Sequence, residues 1–212
     1  MKKYIVQYLI HFVCFVHNWC YKFLTKLAIA ENNGLHPKHR ILNYHKFFVD
    51  NVLPTDRVVD IGSGNGANAY DVASKAVEVV GIDMSEKNVE KSKKKYILPN
   101  LTYIVGDATV YQFGRRFDKI ILSNVLEHIE HRIPFLRSLH NISDVILLRV
   151  PMIDRDWVVV YKKEHGIDYR LDPTHFIEFT NESLRKELTE AGWIVESHSV
   201  QFGEWWGVLK SA

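Results

Sequence analysis

From Arg57 onward the hydrophobic positions alternate between two rhythms. The short runs RVVDIG (57–62), VEVVGID (77–83), LTYIVGD (101–107), FDKIILSN (117–124) and DVILLRV (144–150) are β-branched and almost continuously apolar. Runs of that kind read as strands buried on both faces. Between them, stretches at 66–76, 85–96 and 131–139, with a short piece near 108–112, carry helical spacing. The alternation predicts βαβ units and a parallel sheet. The end of the chain changes character. TNESLRKELTEAGW predicts a helix with Thr180 or Asn181 as N-cap, Glu182 in its first turn and Gly192 as its stop. WIVESHSVQ and EWWGVLKSA then read as two strands around Phe202-Gly203, an antiparallel hairpin added to the sheet.

The beginning of the chain follows another pattern. If residues 1–30 are helical, Lys3, Gln7, His11, Cys14, Asn18, Lys22 and Lys26 form one narrow polar stripe. Ile5, Leu9, Phe12, Phe15, Val16, Trp19 and Phe23 fill the rest of the surface. Gln7, His11, His17 and Asn18 would be expensive inside a bilayer, and no small-residue cleavage site follows. The expectation is an amphipathic helix covered by its own domain, by a second copy, or by a membrane interface. ENNGLHPKHR is a turn-rich connector, and ILNYHKFFVDNV reads as a second amphipathic helix closed before Pro54. The organisation expected is a helical extension over 1–50 and one domain over 51–212, with an insertion at about 152–180.

Composition changes the picture little. A hydrophobic share of 47% and a charged share of 25% fit a globular chain. A formal charge of +2 gives no footprint for nucleic acid. The lysines of EKSKKKY read as a solvated helix face. Cys14 and Cys20, close together in one apolar segment, form no disulfide framework and no metal-ligand spacing. They fit a reducing compartment, so the expected location is the cytoplasm or the inner face of its membrane.

The chemistry centres on VVDIGSGNGANA (58–69), where a strand turns sharply into a helix. Glycines at 62, 64 and 66 allow close approach of a ligand to the backbone. No Lys-Ser/Thr pair follows, which excludes a nucleoside-triphosphate loop. A dinucleotide or an adenosyl amino acid remains. Asp60 would repel a pyrophosphate but attract a sulfonium and an amino group, and Asp83 is placed to accept ribose hydroxyls in either case. Asp107 ends the third strand, so three acids share the strand edge where open α/β sheets bind ligands.

Through VVDIGSGNGA, VVGIDMS, VGDAT and FDKIILSNVLEHI, followed by the terminal hairpin, the chain resembles the class I S-adenosylmethionine-dependent methyltransferases over about residues 51–212. The resemblance implies an α/β, Rossmann-like, seven-stranded and mostly parallel sheet. It implies S-adenosylmethionine as cofactor. Asp60, Gly62, Gly64 and Gly66 would line its methionine part, Asp83 followed by Met84 its ribose, Asp107 and Ala108 its adenine, and Asn124 would face the methionine end. GLHPKHRILNYHKFF, RVPMIDRDW and YRLDPTHFIEFT are similar to a microbial subgroup linked with surface-glycan biosynthesis, which implies O-methylation of a sugar hydroxyl. A methyltransferase of another small molecule, a nicotinamide-dependent oxidoreductase and a non-catalytic binding protein are the alternatives.

Removing a hydroxyl proton calls for a base near the ends of strands four and five. His175 is the first candidate, His128 the second and Asp156 the weakest. The insertion also offers Arg155, Tyr169, Arg170, Asp172 and Glu178 as substrate contacts, and Arg149 could join Arg155 and Arg170 in gripping an anionic group. The string Asp172-x-x-His175-x-x-Glu178 has ligand-type residues, but no second cluster supports it in the sequence, and no metal is expected.

Overall fold

The computed structural model describes residues 2–34 and 36–212. Seven strands form one sheet: β1 (Arg57–Ile61), β2 (Glu78–Asp83), β3 (Leu101–Val105), β4 (Lys119–Ser123), β5 (Val145–Pro151), β6 (Trp193–Gln201) and β7 (Glu204–Ser211). Their spatial order is β3-β2-β1-β4-β5-β7-β6. β1 to β5 are parallel, and β7 runs antiparallel to both β5 and β6. This is the α/β, mostly parallel sheet with an antiparallel terminal hairpin that the apolar runs predict. The order reverses at β1, whose neighbours are β2 and β4. Ligands bind at that switch point, outside the carboxyl ends of the strands.

Successive strand residues point to opposite faces. Val59, Ile61, Val80, Ile82, Ile120, Leu122, Ile146 and Leu148 enter one core with Leu126, Phe179, Trp193 and Trp205. Val58, Val79, Ile121 and Leu147 enter the other with Phe48, Ala69, Val72 and Val89. Asp60 therefore shares its face with Val58, on the side covered by α3 (Tyr44–Asp50) and α4 (Ala67–Ala73). α5 (Glu86–Lys95), α6 (Arg132–Ser138) and α8 (Asn181–Glu190) occupy the other expected helical stretches. Thr180 is the N-cap of α8, in a capping box closed by Ser183. Gly192 follows its end with φ +83°. The lysines of α5 lie on its exposed surface.

Three elements differ from the expectation. The piece near 108–112 is a turn, with Val110 and Tyr111 both donating to the Asp107 carbonyl. The second helix is two: α2 (Lys38–Leu42) and α3 are broken at Asn43, whose φ of +46° an asparagine tolerates better than most residues. The insertion contains a helix of its own, α7 (Trp157–Glu164), capped by the Asp156 side chain accepting from Val158 N.

The 30-residue helix α1 (Lys2–Glu31) is covered only at the middle of its polar stripe, whose Lys3, Gln7, His11, Lys22 and Lys26 are exposed. Cys14 is buried, Asn18 Nδ2 donates to the Asp168 carbonyl at 2.8 Å, and Lys162 Nζ of α7 reaches Asn18 Oδ1 at 2.6 Å and His17 Nδ1 at 2.9 Å. Tyr8, Phe12, Phe15, Trp19 and Leu24 are left exposed. No helix among the described residues is long and apolar enough to cross a membrane.

Candidate functional site

The glycine turn begins where β1 ends. Gly62 has φ +67°, and a Cβ there would come within 2.5 Å of Val125, on the segment that follows β4. The turn and the end of β4 therefore close on each other only because residue 62 has no side chain. A Cβ at Gly66 (φ +80°) would lie 2.7 Å from Ser92 and from the Tyr103 hydroxyl, which donates to the Gly66 carbonyl. A Cβ at Gly64 would meet only the Gly62 carbonyl, at 4.0 Å, so close approach to the turn remains free there.

Three carboxylates stand along this rim, as expected, but in different states. Asp83 is engaged with the backbone: Gly64 N donates to Oδ2 at 2.8 Å and Ser85 N to Oδ1 at 2.9 Å. Asn88 Nδ2 also donates to Oδ1 at 3.4 Å, so Asp83 ties the turn to the start of α5 while Oδ2 keeps a free lone pair. Asp107 Oδ1 accepts from the backbone and hydroxyl of Thr109. Asp60 is 2% exposed and its Oδ2 has no partner. Burial, opposed by neighbouring Asn68 and reinforced by the charge of Asp83, raises its pKa to about 7. An orphaned buried carboxyl is costly unless a donor or a cation completes it. Asn124 is held at φ +56°, and its buried Oδ1 also lacks a partner. A strained non-glycine residue aimed with Asp60 at one space marks a binding site.

Two cavities meet at Gly62. A slot of about 70 Å³ is lined by Ile82, Asp83, Met84, Asp107, Ala108 and Val125 among others. A wider cavity of about 300 Å³ is lined by Asp60, Asn65, Asn68, Ser123 and Asn124 on one wall and by His36, Lys38, His39, Tyr44, His45 and Arg149 on the other. The acidic rim, the glycine turn and the apolar slot suit a nucleoside bearing a cationic amino-acid tail. All nine residues expected to hold the cofactor lie at this edge, although Gly66 acts by packing and Met84 is largely exposed.

Apart from Arg149, the second wall holds residues that the sequence reading did not single out. His45 Nδ1 lies 2.6 Å from Asp71 Oδ2. A carboxylate only accepts, so Nδ1 carries a proton, and the buried Nε2 has no partner. His39 Nδ1 bonds the Tyr44 hydroxyl at 2.9 Å, and its ring meets that of His45 edge-on at 5.6 Å. Burial first, then the charges of His45 and His36, depress the pKa of His39 and keep it neutral. Arg149 is fixed by Glu204 at 2.5 Å and lies 3.8 Å over the Tyr44 ring, while Lys38 also pairs with Glu204. The signal available in the sequence was the run of imidazoles and a tyrosine interrupting an apolar helix pattern in HPKHRILNYHKFF.

The insertion residues gather elsewhere. His175 is 4% exposed and lies against Glu178, Glu127 and His128 instead of either cavity. His128 bonds Thr174 through Nδ1 at 2.9 Å. Arg155 and Glu178, expected as substrate contacts, pair with each other because both are largely buried and neither charge could stand alone. Arg170 donates to the His175 carbonyl, and Asp172 accepts from Thr174. The Tyr169 carbonyl accepts from Arg155. Asp156 is the N-cap of α7, an ordinary structural use of an aspartate and not a base position.

Residues 58–144 match the family model of a methyltransferase domain. A demethylmenaquinone methyltransferase of Beutenbergia cavernae is 30% identical over 91 residues, 42% of this chain and 37% of its own length. The mitochondrial ubiquinone biosynthesis O-methyltransferase of Schizosaccharomyces pombe is 32% identical over 94 residues, 42% of this chain and 34% of its own. The match thus spans little more than a third of either relative. Among solved structures, magnesium protoporphyrin IX methyltransferase from Synechocystis with bound SAH superposes with a TM-score of 0.62 at 23% identity, covering 82% of this chain and 83% of that one. A TehB-like SAM-dependent methyltransferase from Corynebacterium glutamicum gives 0.58 at 14% identity, covering 93% and 99%. The orphaned Asp60, the glycine turn and the slot beside Asp83 and Asp107 fit S-adenosylmethionine, and residues 58–144 match a methyltransferase domain within a chain that has the fold of these S-adenosylmethionine-dependent methyltransferases.

Proposed function

We propose that the protein methylates a hydroxyl of a polar, polyhydroxylated acceptor, with His45 as the general base. S-adenosylmethionine, when bound, supplies an electrophilic methyl carbon. The chain's own part is to hold the acceptor in line and to take its proton. The observation that carries the reading is the 300 Å³ cavity, whose one wall is the cofactor rim and whose other wall is three imidazoles, a phenol and two cationic side chains. Such a lining suits an acceptor rich in hydroxyls and is poorly matched to an apolar ring system. His45 Nε2 is buried, unpartnered and oriented by Asp71, the arrangement a base needs. A sugar hydroxyl on a surface glycan or its lipid-linked precursor is the acceptor class that this lining favours.

The outward apolar surface of α1 supports a place at an anionic lipid surface. Residues 1–30 hold four lysines and no acid, which favours anionic headgroups over a second copy of the same basic helix. Vesicles containing phosphatidylglycerol should sediment the full chain and leave the 31–212 truncation in solution; a salt-resistant dimer with no vesicle binding would replace the lipid with a partner copy. For the reaction, incubation with S-adenosylmethionine and a panel of glycans, phenols and amines, read by mass, should give a gain of one methyl on a sugar. Methylation confined to phenols or amines would overturn the acceptor class.

A further inference from the structure

The groups gathered around Glu127 have no part in the reaction proposed above. Glu127 and His128 sit on the short helical turn after β4, and His175 comes from the insertion between β5 and α8. The three bring one carboxylate and two imidazoles together, with one ligand-type atom from each lying within 4.8 Å of the others.

The hydrogen bonds fix which atoms face inward. His175 Nδ1 lies 3.2 Å from Glu178 Oε1, and Glu178 is itself held by Arg155 and by Leu171 N. A proton therefore sits on Nδ1, and Nε2 faces Glu127 Oε1 at 4.0 Å. Thr174 Oγ1 donates to Asp172 Oδ1 at 2.6 Å, so its oxygen is free to accept from His128 Nδ1 at 2.9 Å. His128 Nδ1 is thereby the donor of that bond, and its Nε2 is left for another partner. Glu127 is fully buried, and neither carboxylate oxygen has a partner. Two imidazole nitrogens and an unpartnered carboxyl converge in a buried space, and a cation between them would complete all three. The outer carboxylate on His175 and the hydroxyl on His128 are the supports that metal-ligating histidines usually have.

We propose that Glu127, His128 and His175 bind one first-row transition-metal dication. Two imidazoles and a carboxylate suit zinc, cobalt, iron or manganese in the divalent state, and they leave coordination positions open. The linear string Asp172-x-x-His175-x-x-Glu178 is not the ligand set: only His175 belongs to it, and Asp172 and Glu178 orient the ligands. The fold supplies what the sequence lacked, a second pair of ligands from the end of β4. The metal would also fasten the insertion to the sheet edge, alongside the bond from Phe176 N to the Glu127 carbonyl.

The test is titration of the full chain, stripped by chelator, with cobalt(II) followed by visible absorption. One equivalent should bind with a saturable d–d spectrum, and zinc should displace it. Glu127→Gln, close in shape, should weaken cobalt binding at least about tenfold, and Glu178→Gln by about tenfold through the outer shell. Should His175→Gln fail to fold, His128→Gln, at a half-buried position, takes its place with the same expected loss. No saturable binding in the parent chain, or binding unchanged by Glu127→Gln and His128→Gln, overturns the site. The readout is spectroscopic and independent of methyl transfer, so its failure leaves the reaction untouched.

Discussion

Two clusters of histidine flank the end of β4, and they teach different lessons from one residue type. His36, His39 and His45 line an open cavity that faces Asp60 and Asn124. His128 and His175 pack edge-on at 4.6 Å in a recess with a buried, unpartnered carboxyl group. Each cluster has its orienting acid, Asp71 in the first and Glu178 in the second. The difference lies in what the free nitrogen meets. In the first it meets a space large enough for a substrate; in the second it meets another ligand-type atom. A histidine's chemistry is set by the occupant its free nitrogen can reach.

The comparison breaks most sharply on single substitutions of the two leading imidazoles. His45→Ala should lower kcat about 10²- to 10⁴-fold, the ordinary contribution of a positioned base, with little change in cofactor affinity by calorimetry. His45→Gln should not rescue it, because an amide cannot accept the proton. His175→Gln, folded and loaded with cofactor, should retain more turnover than His45→Ala. Turnover lost in His175→Gln and kept in His45→Ala would exchange the roles of the two clusters.

The ion pair beneath the second cluster gives the next largest effect, and it is one of stability. Arg155→Ala leaves Glu178 fully buried without its main cation, and such losses cost about 3–5 kcal/mol. The remaining donors to Glu178, His175 and Leu171 N, moderate the loss. Denaturant unfolding should show the midpoint falling with the slope unchanged. Lys38→Ala, above the open cavity, should cost far less, because Arg149 still pairs with Glu204.

On the cofactor side, the raised pKa of Asp60 gives a pH dependence with a definite sign. Burial holds the free carboxyl neutral up to about pH 7. A cationic amino group or sulfonium beside it favours the ionised form, so affinity for S-adenosylmethionine should rise with pH and level off above about 7. Each pH unit below that costs up to about tenfold. In the free protein the same shift works against folding. The contribution of Asp60 to stability is complete below its ordinary pKa near 4 and declines as pH rises through about 7. Calorimetry at pH 6 and pH 8 should therefore differ by about tenfold for the parent chain and not at all for Asp60→Asn, which should also melt higher at pH 8. Equal affinities at the two pH values in the parent would remove Asp60 from the amino-group contact.

The unequal legibility of the two halves has a physical cause. Strand runs and the glycine turn are local signals: an apolar run such as IILS buries itself whatever follows, and the turn at Gly62 needs a positive φ in any context. The rim acids could be placed because each ends a strand, and strand ends share one edge by topology. The imidazole wall depends on α2 and α3 breaking at Asn43 and folding back over β1, a tertiary event with no local signature. The Glu127 recess joins residues about fifty positions apart, and the single buried carboxylate that organises it looks in the sequence like any glutamate in a polar turn. Helix α1 was legible as amphipathic, but not which part of it docks, because Lys162 and Asp168, far along the chain, supply the partners at the middle of its polar stripe.

The smallest expected effect separates function from framework inside the insertion. Asp156 stands among residues dense in polar chemistry, yet its carboxylate accepts from Val158 N at 3.0 Å and caps α7. Asp156→Ala should cost about 0.5–2 kcal/mol, the usual worth of a cap, and leave kcat within experimental error of the parent. Asp156→Ser should restore most of the stability, since a hydroxyl caps nearly as well, whereas it could not restore a general base. A fall in kcat that the serine fails to rescue would return Asp156 to the reaction and place the start of α7 beside the acceptor.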